Sequence, residues 1–289
     1  MNDSSQIDAF VKFGELADSW GKQYEEDGAL TVHSANRFRA RIVLTLLERI
    51  NATRVLDVGC GSGEPLIAML RQGYDAYGFD LAESMVTRAK ENVAAAGFDA
   101  ARVVQADMER PDLAHRDWPT LVALGSVYYA RDFAQTLRAL TEMMSPGGHF
   151  IFSLRNDLFS LFSLNGYTVD FFERALIPDA VPSELRARAG EWLRSRLAEG
   201  EVASRFQTVD DLKIRSRFDN PLTVQQDVLD PAGLRLEGLY FYHFHPLPPV
   251  FEHLEPEAFR RASASMENPV DWRGLFMASA FVVHARRPL

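Results

Sequence analysis

Only one cysteine, Cys60, stands among the 289 residues. No intrachain disulfide can therefore form, and no thiolate cluster can hold zinc. Positive charge is also short: 31 Lys and Arg face 40 Asp and Glu, a net charge of −9. A nucleic-acid partner calls for a basic face, so none is expected. No window reaches the roughly 18 consecutive apolar residues of a membrane helix. The first thirty residues carry Asp3, Asp8, Glu15, Asp18, Glu25, Glu26 and Asp27 in place of the apolar core of a signal peptide. No membrane partner is expected, and the cytoplasm is the expected compartment. Internal repeats and low-complexity tracts are missing, and nothing in the pattern sets an oligomeric state. The remaining composition, 47% hydrophobic and 25% charged, is that of a globular protein able to bury a large core.

The chain's most informative stretch lies between residues 55 and 80. Val55-Leu56-Asp57-Val58 is an apolar run of strand type that leads directly into Gly59-Cys60-Gly61-Ser62-Gly63. A second such run ends in Gly78-Phe79-Asp80. Strand, glycine turn, helix, strand and terminal acid form the nucleotide-binding half of a doubly wound sheet. The glycines let backbone approach a ligand, and the acid can take both ribose hydroxyls.

Glycine turns of this kind also serve nicotinamide and flavin cofactors. Here the pattern is D-x-G-x-G-x-G, not the G-x-G-x-x-G that seats a pyrophosphate on a helix N-terminus. Glu64 and Pro65 fill the first helical turn, where Glu64 would repel a phosphate. Asp57 faces the loop and suits a cationic ligand. S-adenosylmethionine meets these conditions, with a ribose, an adenine, an amino-acid tail, a sulfonium charge and no phosphate.

On these residues the sequence resembles the class I S-adenosylmethionine-dependent methyltransferases over about residues 10–155. The resemblance implies S-adenosyl-L-methionine as cofactor. It puts Gly59 and Gly61 against the amino-acid portion and ribose, Asp80 on the ribose diol, and Leu81 on the adenine. Asp107 would accept from the adenine amino group and Met108 would cover the ring. Asp107 could equally cap a helix ahead of Glu109 and Pro111. Leu124 and Gly125, at the end of the fourth strand, would back the methionine portion. Lys12-Phe13, Ala17, Trp20, His33-Ser34-Ala35-Asn36 and Arg39 look like the N-terminal segment of ubiquinone-biosynthesis-type O-methyltransferases. That likeness implies Arg39 as the group that binds the cofactor carboxylate, for which a bidentate guanidinium is suited. A solvated helix arginine is the other reading, since Arg37 and Arg41 flank it. Members of that group carry an acid and a histidine after the fourth strand. Here Leu124-Gly125-Ser126-Val127-Tyr128-Tyr129 stands instead, with Ser126 at the acid's position, so metal-assisted catecholate chemistry loses its ligand and no metal is expected.

The expected fold is α/β, a Rossmann-like doubly wound seven-stranded sheet with N-terminal helices and a lid inserted between strands five and six. Helices are expected at 7–20, 34–50, 64–72, 83–96 and 131–144, with a short one near 109–116. Strands are expected at 54–58, 74–79, 101–105, 120–125, 148–154, 235–245 and 276–286. Residues 1–50 then form a helical cap, 51–155 the cofactor-binding core, 156–222 the insertion and 223–289 the closing strands. The insertion begins aromatic, with Phe159, Phe162, Tyr167, Phe171 and Phe172. A charged helix at about 183–199 follows, with Leu185, Trp192, Leu193 and Leu197 as its apolar stripe.

Methyl transfer is an in-line displacement that needs positioning and, for a hydroxyl acceptor, a general base. Catalytic candidates are His33, Tyr128, His243 and His245. The two histidines at i and i+2 on a strand share a face, which suits a substrate-facing base, two metal ligands or plain packing. Candidates for holding the acceptor are Tyr24, Tyr129, Arg155 and Asn156; Asn156 could also simply terminate its strand. The expected activity is methylation of a small-molecule acceptor, with oxygen the expected atom of a secondary-metabolite or sugar-type compound. Methylation at nitrogen or carbon is the alternative, and a regulatory protein that only binds the cofactor is an alternative of another class.

Overall fold

The computed structural model describes residues 35–197 and 217–289. The helix expected at 7–20, and the candidates Tyr24 and His33, lie outside the described residues.

Strand β1 (Arg54–Val58) is followed by helix α2 (Glu64–Arg71), β2 (Asp75–Asp80), α3 (Glu83–Ala95), β3 (Val103–Gln105), β4 (Trp118–Ala123), α4 (Phe133–Glu142) and β5 (Met144–Asn156), and helix α1 (Ala35–Arg49) precedes them all. The five strands are parallel neighbours in the order β3-β2-β1-β4-β5. Strand β8 (Ala278–Arg286) runs antiparallel to β5, and β7 (Arg235–Phe244) runs antiparallel to β8. The sheet has one strand more than the seven expected: β6 (Phe218–Asp219) pairs in parallel with Arg155 and Asn156 at the end of β5.

The strand period of two explains how one sheet serves two layers. Leu56 and Val58 point to the face covered by Phe133, Leu137 and Leu140 of α4. Val55 points to the other face, where α1, α2 and α3 pack with Leu46, Leu66 and Val86. Asp57 shares that second face and is 1% exposed. Helix α1 buries Asn36, Arg39, Ile42, Val43, Leu46 and Leu47, a stripe at helical spacing that carries a polar pair at its first turn. Phe38 is only half-buried.

Two expectations fail. No helix forms at 109–116; Pro111 and the run to Pro119 leave turns and extended chain. Helix α5 (Ser183–Leu197) does not bury the expected stripe. Leu185 is 55% and Trp192 58% exposed, and Gly190 is its one buried residue. Polar contacts hold it instead: Arg194 pairs with Glu173 at 2.9 Å, and Arg186 donates to the Glu173 carbonyl at 2.9 Å. Between β5 and α5, short helical turns at Ser160–Ser163 and Gly166–Phe171 carry Ser163, Asn165 and Tyr167 back towards the strand ends. No described helix is long and apolar enough to cross a membrane.

His149 on β5 and His284 on β8 form a ring-to-ring hydrogen bond of 2.9 Å. Burial, then His149, Arg49 and Arg286, push the His284 imidazole down to about 4. Its folded value lies below the unfolded value of about 6.5. The stabilisation is therefore complete above pH 6.5 and is lost as pH falls towards 4. Between pH 6.5 and 5 this group alone should remove about 2 kcal/mol of stability. Urea unfolding at the two pH values should show a smaller loss in His284→Gln than in the wild type; an equal loss would discard the assignment.

Candidate functional site

In a doubly wound sheet the ligand crevice lies at the carboxyl ends of strands, where the strand order reverses. Here that point is the seam between β1 and β4, and the glycine turn sits on it. Gly59, Gly61 and Gly63 all have positive φ, at 68°, 55° and 91°. The turn is fastened to β2: Cys60 N donates to Phe79 O at 2.9 Å, and Gly61 N donates to Asp80 Oδ2 at 2.9 Å. Asp80 Oδ1 accepts from Ala82 N at 3.0 Å. The second acid of the motif thus shapes the loop while lining the crevice.

The β1 and β4 turns touch directly. Ser126 Oγ donates to Val58 O at 2.8 Å, and a Cβ on Gly59 would lie 2.5 Å from Ser126 Cβ. Ser126, at the position of the missing acid, therefore serves the seam between the strands. Gly125, with φ of 75°, admits Arg39: a Cβ there would stand 2.5 Å from Arg39 Nη1. Arg39 itself is 5% exposed, donates to Asn36 Oδ1 at 2.8 Å and acts electrostatically on Asp57. Arg41 is exposed and Arg37 half-buried. Of the three arginines, Arg39 is the one turned into the cavity.

A cavity of about 580 Å³ opens over this seam, within the range of small-molecule and cofactor sites. All ten residues expected at the cofactor line it: Arg39, Asp57, Gly59, Gly61, Asp80, Leu81, Asp107, Met108, Leu124 and Gly125. A Cβ on Gly61 would meet nothing within 4 Å, so this backbone faces open space that a ligand can enter. Burial pushes the Asp57 carboxyl up to about 7, against the lowering effect of Arg39, with Asp80 and Glu64 raising it further. Its Oδ2 is buried and accepts no hydrogen bond among the described residues. An orphaned carboxylate oxygen beside an open glycine cradle fits a cationic amine. Burial also raises Asp80, against three backbone amides. Asp107 Oδ1 accepts from Glu109 N at 2.8 Å, so its local capping role is present, in a turn and not a helix. The Cys60 thiol is buried and pushed well up, which suits a small packing residue and not a nucleophile.

The same cavity is lined by Tyr128, Tyr129, Arg155, His243 and His245. His243 Nδ1 lies 2.6 Å from Ser279 Oγ on β8 and 3.3 Å from His245 Nε2. The two rings do share a face, edge-to-face with centroids 4.7 Å apart. His243 has φ of 61°, an unfavourable backbone for a non-glycine residue and a feature that clusters at functional sites. His245 packs between Phe159 and Phe259. Among the described residues, no three His, Cys, Asp or Glu side chains converge to hold a metal ion.

Asn156, expected at the mouth of the pocket, is the exception. It is fully buried, and its Nδ2 donates to the carbonyls of Gly274, Leu275 and Ala278 while Oδ1 accepts from Leu158 N. It ties the end of β5 to the turn before β8 and has no part in the cavity.

Tyr242, Ser279 and Phe218 are among the cavity residues that had no sequence signal of their own. Tyr242 is buried beside Arg39 and Ser153, and burial pushes its hydroxyl up to about 12. Only the pairing of β7 with β8 and of β6 with β5 brings these side chains to the seam. Asn36, quoted from the sequence only as part of the N-terminal likeness, stands beside Arg39 through its i, i+3 spacing on α1.

Comparison with known proteins gives a consistent likeness. Residues 55–148 match the methyltransferase domain family. A ubiquinone biosynthesis O-methyltransferase of Methylococcus capsulatus is 29% identical over 156 residues, covering 53% of this chain and 64% of that protein. One from Xanthomonas euvesicatoria is 29% identical over 193 residues, covering 64% of this chain and 77% of that protein. The chain spans less than two thirds of the length of the first of these relatives. Among solved structures, magnesium protoporphyrin IX methyltransferase of Synechocystis with bound S-adenosylmethionine aligns with a TM-score of 0.55 at 12% identity. That alignment covers 99% of this chain and 100% of that one. A methyltransferase of Clostridium acetobutylicum aligns with a TM-score of 0.55 at 10% identity, covering 94% and 99%.

The seam makes its own prediction. Gly59→Ala adds a left-handed backbone cost and a clash with Ser126, together about 2–4 kcal/mol. In a Ser126→Gly background the same change should cost clearly less, because only the backbone part remains. Equal costs in the two backgrounds, measured by urea unfolding, would mean that the turns do not touch.

Proposed function

We propose that this chain, a member of the class I S-adenosylmethionine-dependent methyltransferases, methylates a hydroxyl of a small-molecule acceptor. One observation carries the reading. The glycine turn with Asp57 and Asp80, and the paired imidazoles of His243 and His245, open on a single cavity. S-adenosylmethionine, when bound, supplies a methyl group on a sulfonium whose charge vanishes in the displacement.

The residues have distinct tasks under this reading. Asp80 takes the ribose diol, Leu81, Asp107 and Met108 take the adenine, and Arg39 takes the carboxylate beside Gly125. Asp57 takes the ammonium. His243, held by Ser279 and flanked by His245, receives the hydroxyl proton as the oxygen–carbon bond forms. Tyr128 and Tyr129 bound the acceptor side. Residues 156–222 act as a lid, which is supported by the cavity-lining positions of Phe159, Tyr167 and Phe218. Oxygen as the acceptor atom is supported by the imidazole pair, since an amine acceptor needs little help from a base, and by the naming of the curated relatives as O-methyltransferases.

The cofactor side is tested by calorimetry with S-adenosylhomocysteine. Asp80→Ala should weaken binding by about 1.5–3 kcal/mol for each charged hydrogen bond lost. The Asp57 carboxyl sits at about 7 before the ligand arrives, and a cationic amine favours its ionised form. Affinity should therefore rise with pH through 7 and fall below it by up to about tenfold per pH unit. Asp57→Asn should bind more weakly and lose that slope. Unchanged affinity in Asp80→Ala would remove the ribose assignment, and tighter binding of a nicotinamide dinucleotide would overturn the reading as a whole.

The base is tested separately. His243→Asn keeps a residue tolerant of the left-handed backbone while removing the imidazole. It should lower kcat by about 10²–10⁴-fold with cofactor affinity within twofold of wild type. The acidic limb of the pH–rate profile should disappear with it. A profile and rate unchanged in both His243→Asn and His245→Gln would exclude the pair as base. Activity should survive a chelator, and its loss with recovery on adding a divalent ion would establish a metal-dependent mechanism.

A further inference from the structure

Charge is distributed unevenly around the cavity. Its acids, Asp57, Glu64, Asp80, Asp107 and Glu109, all come from the cofactor-side segment between β1 and the turn after β3. Two cations line it, Arg39 and Arg155. Arg39 has Asp57 and Asn36 beside it. Arg155 has no carboxylate partner among the described residues.

The surroundings of Arg155 explain why. Its guanidinium lies 5.4 Å from the ring centroid of Tyr128 and 5.6 Å from that of Phe218. Nη2 is 3.4 Å from the Tyr129 hydroxyl, a long contact. The carboxylates next to it in the chain and across the strand pair are bound elsewhere. Asp157 is held by Arg174 at 2.7 Å, and Asp219 by Arg217 at 2.6 Å. Each neighbouring acid thus has its own arginine, and Arg155 is left with aromatic faces and the neutral hydroxyls of Tyr128 and Tyr129. Ring faces offset part of the desolvation of a cation, but they cannot use the paired in-plane donors of the guanidinium fork. A fork presented in an aromatic-walled cavity matches a planar carboxylate, which accepts two parallel hydrogen bonds.

We infer that Arg155, held by Tyr128, Tyr129 and Phe218, is the specificity-determining residue of the acceptor subsite and that the methyl acceptor carries a carboxylate. This rests on the methyltransferase reading and narrows its acceptor to an acid with a planar or apolar body. The wall of Tyr167 and Phe159 receives that body. Arg155 fixes the carboxylate and so aims the hydroxyl at the methyl position. It is a binding residue and does not take part in the proton transfer.

The test compares benzoate with benzamide, which has nearly the same shape without the charge, on the full chain saturated with S-adenosylhomocysteine. Calorimetry should show wild type binding benzoate at least about tenfold more tightly than benzamide, the range of a charge-assisted bidentate contact. Arg155→Gln should bind the two within about twofold of each other. Arg155→Lys should fall between, since charge remains and the fork does not. S-adenosylhomocysteine affinity should not change in either variant. A wild type with no preference for benzoate overturns the inference, and so does a preference retained in Arg155→Gln. Loss of S-adenosylhomocysteine affinity in Arg155→Gln overturns it too, because the guanidinium would then serve the cofactor. The wild-type comparison decides the matter even if the variants fail to fold. Failure of wild type to bind S-adenosylhomocysteine at all is a different result, which removes the methyltransferase reading and not this assignment alone.

Discussion

The close approach of two strand ends governs everything built above it. The turns after β1 and β4 touch through Gly59 and Ser126, with the Ser126 hydroxyl tied to the Val58 carbonyl. Any side chain at Gly59 would push the turns apart. Any side chain at Gly125 would push out Arg39, which is buried through the face of α1 onto the same seam. One steric condition thus sets both the opening of the crevice and the position of its first cation. The parallel order β3-β2-β1-β4-β5 places that condition at the reversal of the sheet, where the strand ends leave room for a ligand.

Above the seam the electrostatics divide in two. The glycine-turn side holds several acids in a confined space, and burial makes the carboxyl of Asp57 difficult to ionise. The other side holds imidazoles, phenols and the caged Arg155 guanidinium. A cavity arranged in this way favours a cation against the glycine turn and an anion against β5. Residues 57–109 supply the acids, while the turn after β4, the end of β5 and the β7–β8 pair supply Tyr128, Tyr129, Arg155, Tyr242 and His243.

The glycine-turn half of the cavity was legible in the sequence because it is local. Glycine spacing after an apolar strand fixes a turn with positive φ, and an acid at the end of the next strand is adjacent by topology alone. The i, i+3 spacing of Asn36 and Arg39 likewise puts both on one face of α1. The pairing of His243 with His245 followed from the strand period of two. The acceptor half was harder to read. Asn156 looked like a pocket residue by position, yet its amide binds three carbonyls from residues 274–278. Leu185 and Trp192 looked like a buried stripe, yet α5 is held through Glu173 by one ion pair with Arg194 and a carbonyl contact with Arg186. The partners of Asn156 lie more than a hundred residues away in sequence, and the partner of α5 sits on the preceding short helix.

The sequence by itself determined the doubly wound core and named ten residues between Arg39 and Gly125 that line the cavity over the seam. Those features rest on backbone conformation and strand alternation, which act over a few residues. Only the tertiary structure decided what faces the crevice from across the sheet. Ser279 meets His243 because β8 runs antiparallel to β7, and Phe218 meets Arg155 because a two-residue strand joins the end of β5. The structure also decided which arginine is left for a ligand, since Asp157 and Asp219 choose Arg174 and Arg217. Strand pairing between distant segments depends on how the whole chain packs, and no local pattern records its outcome.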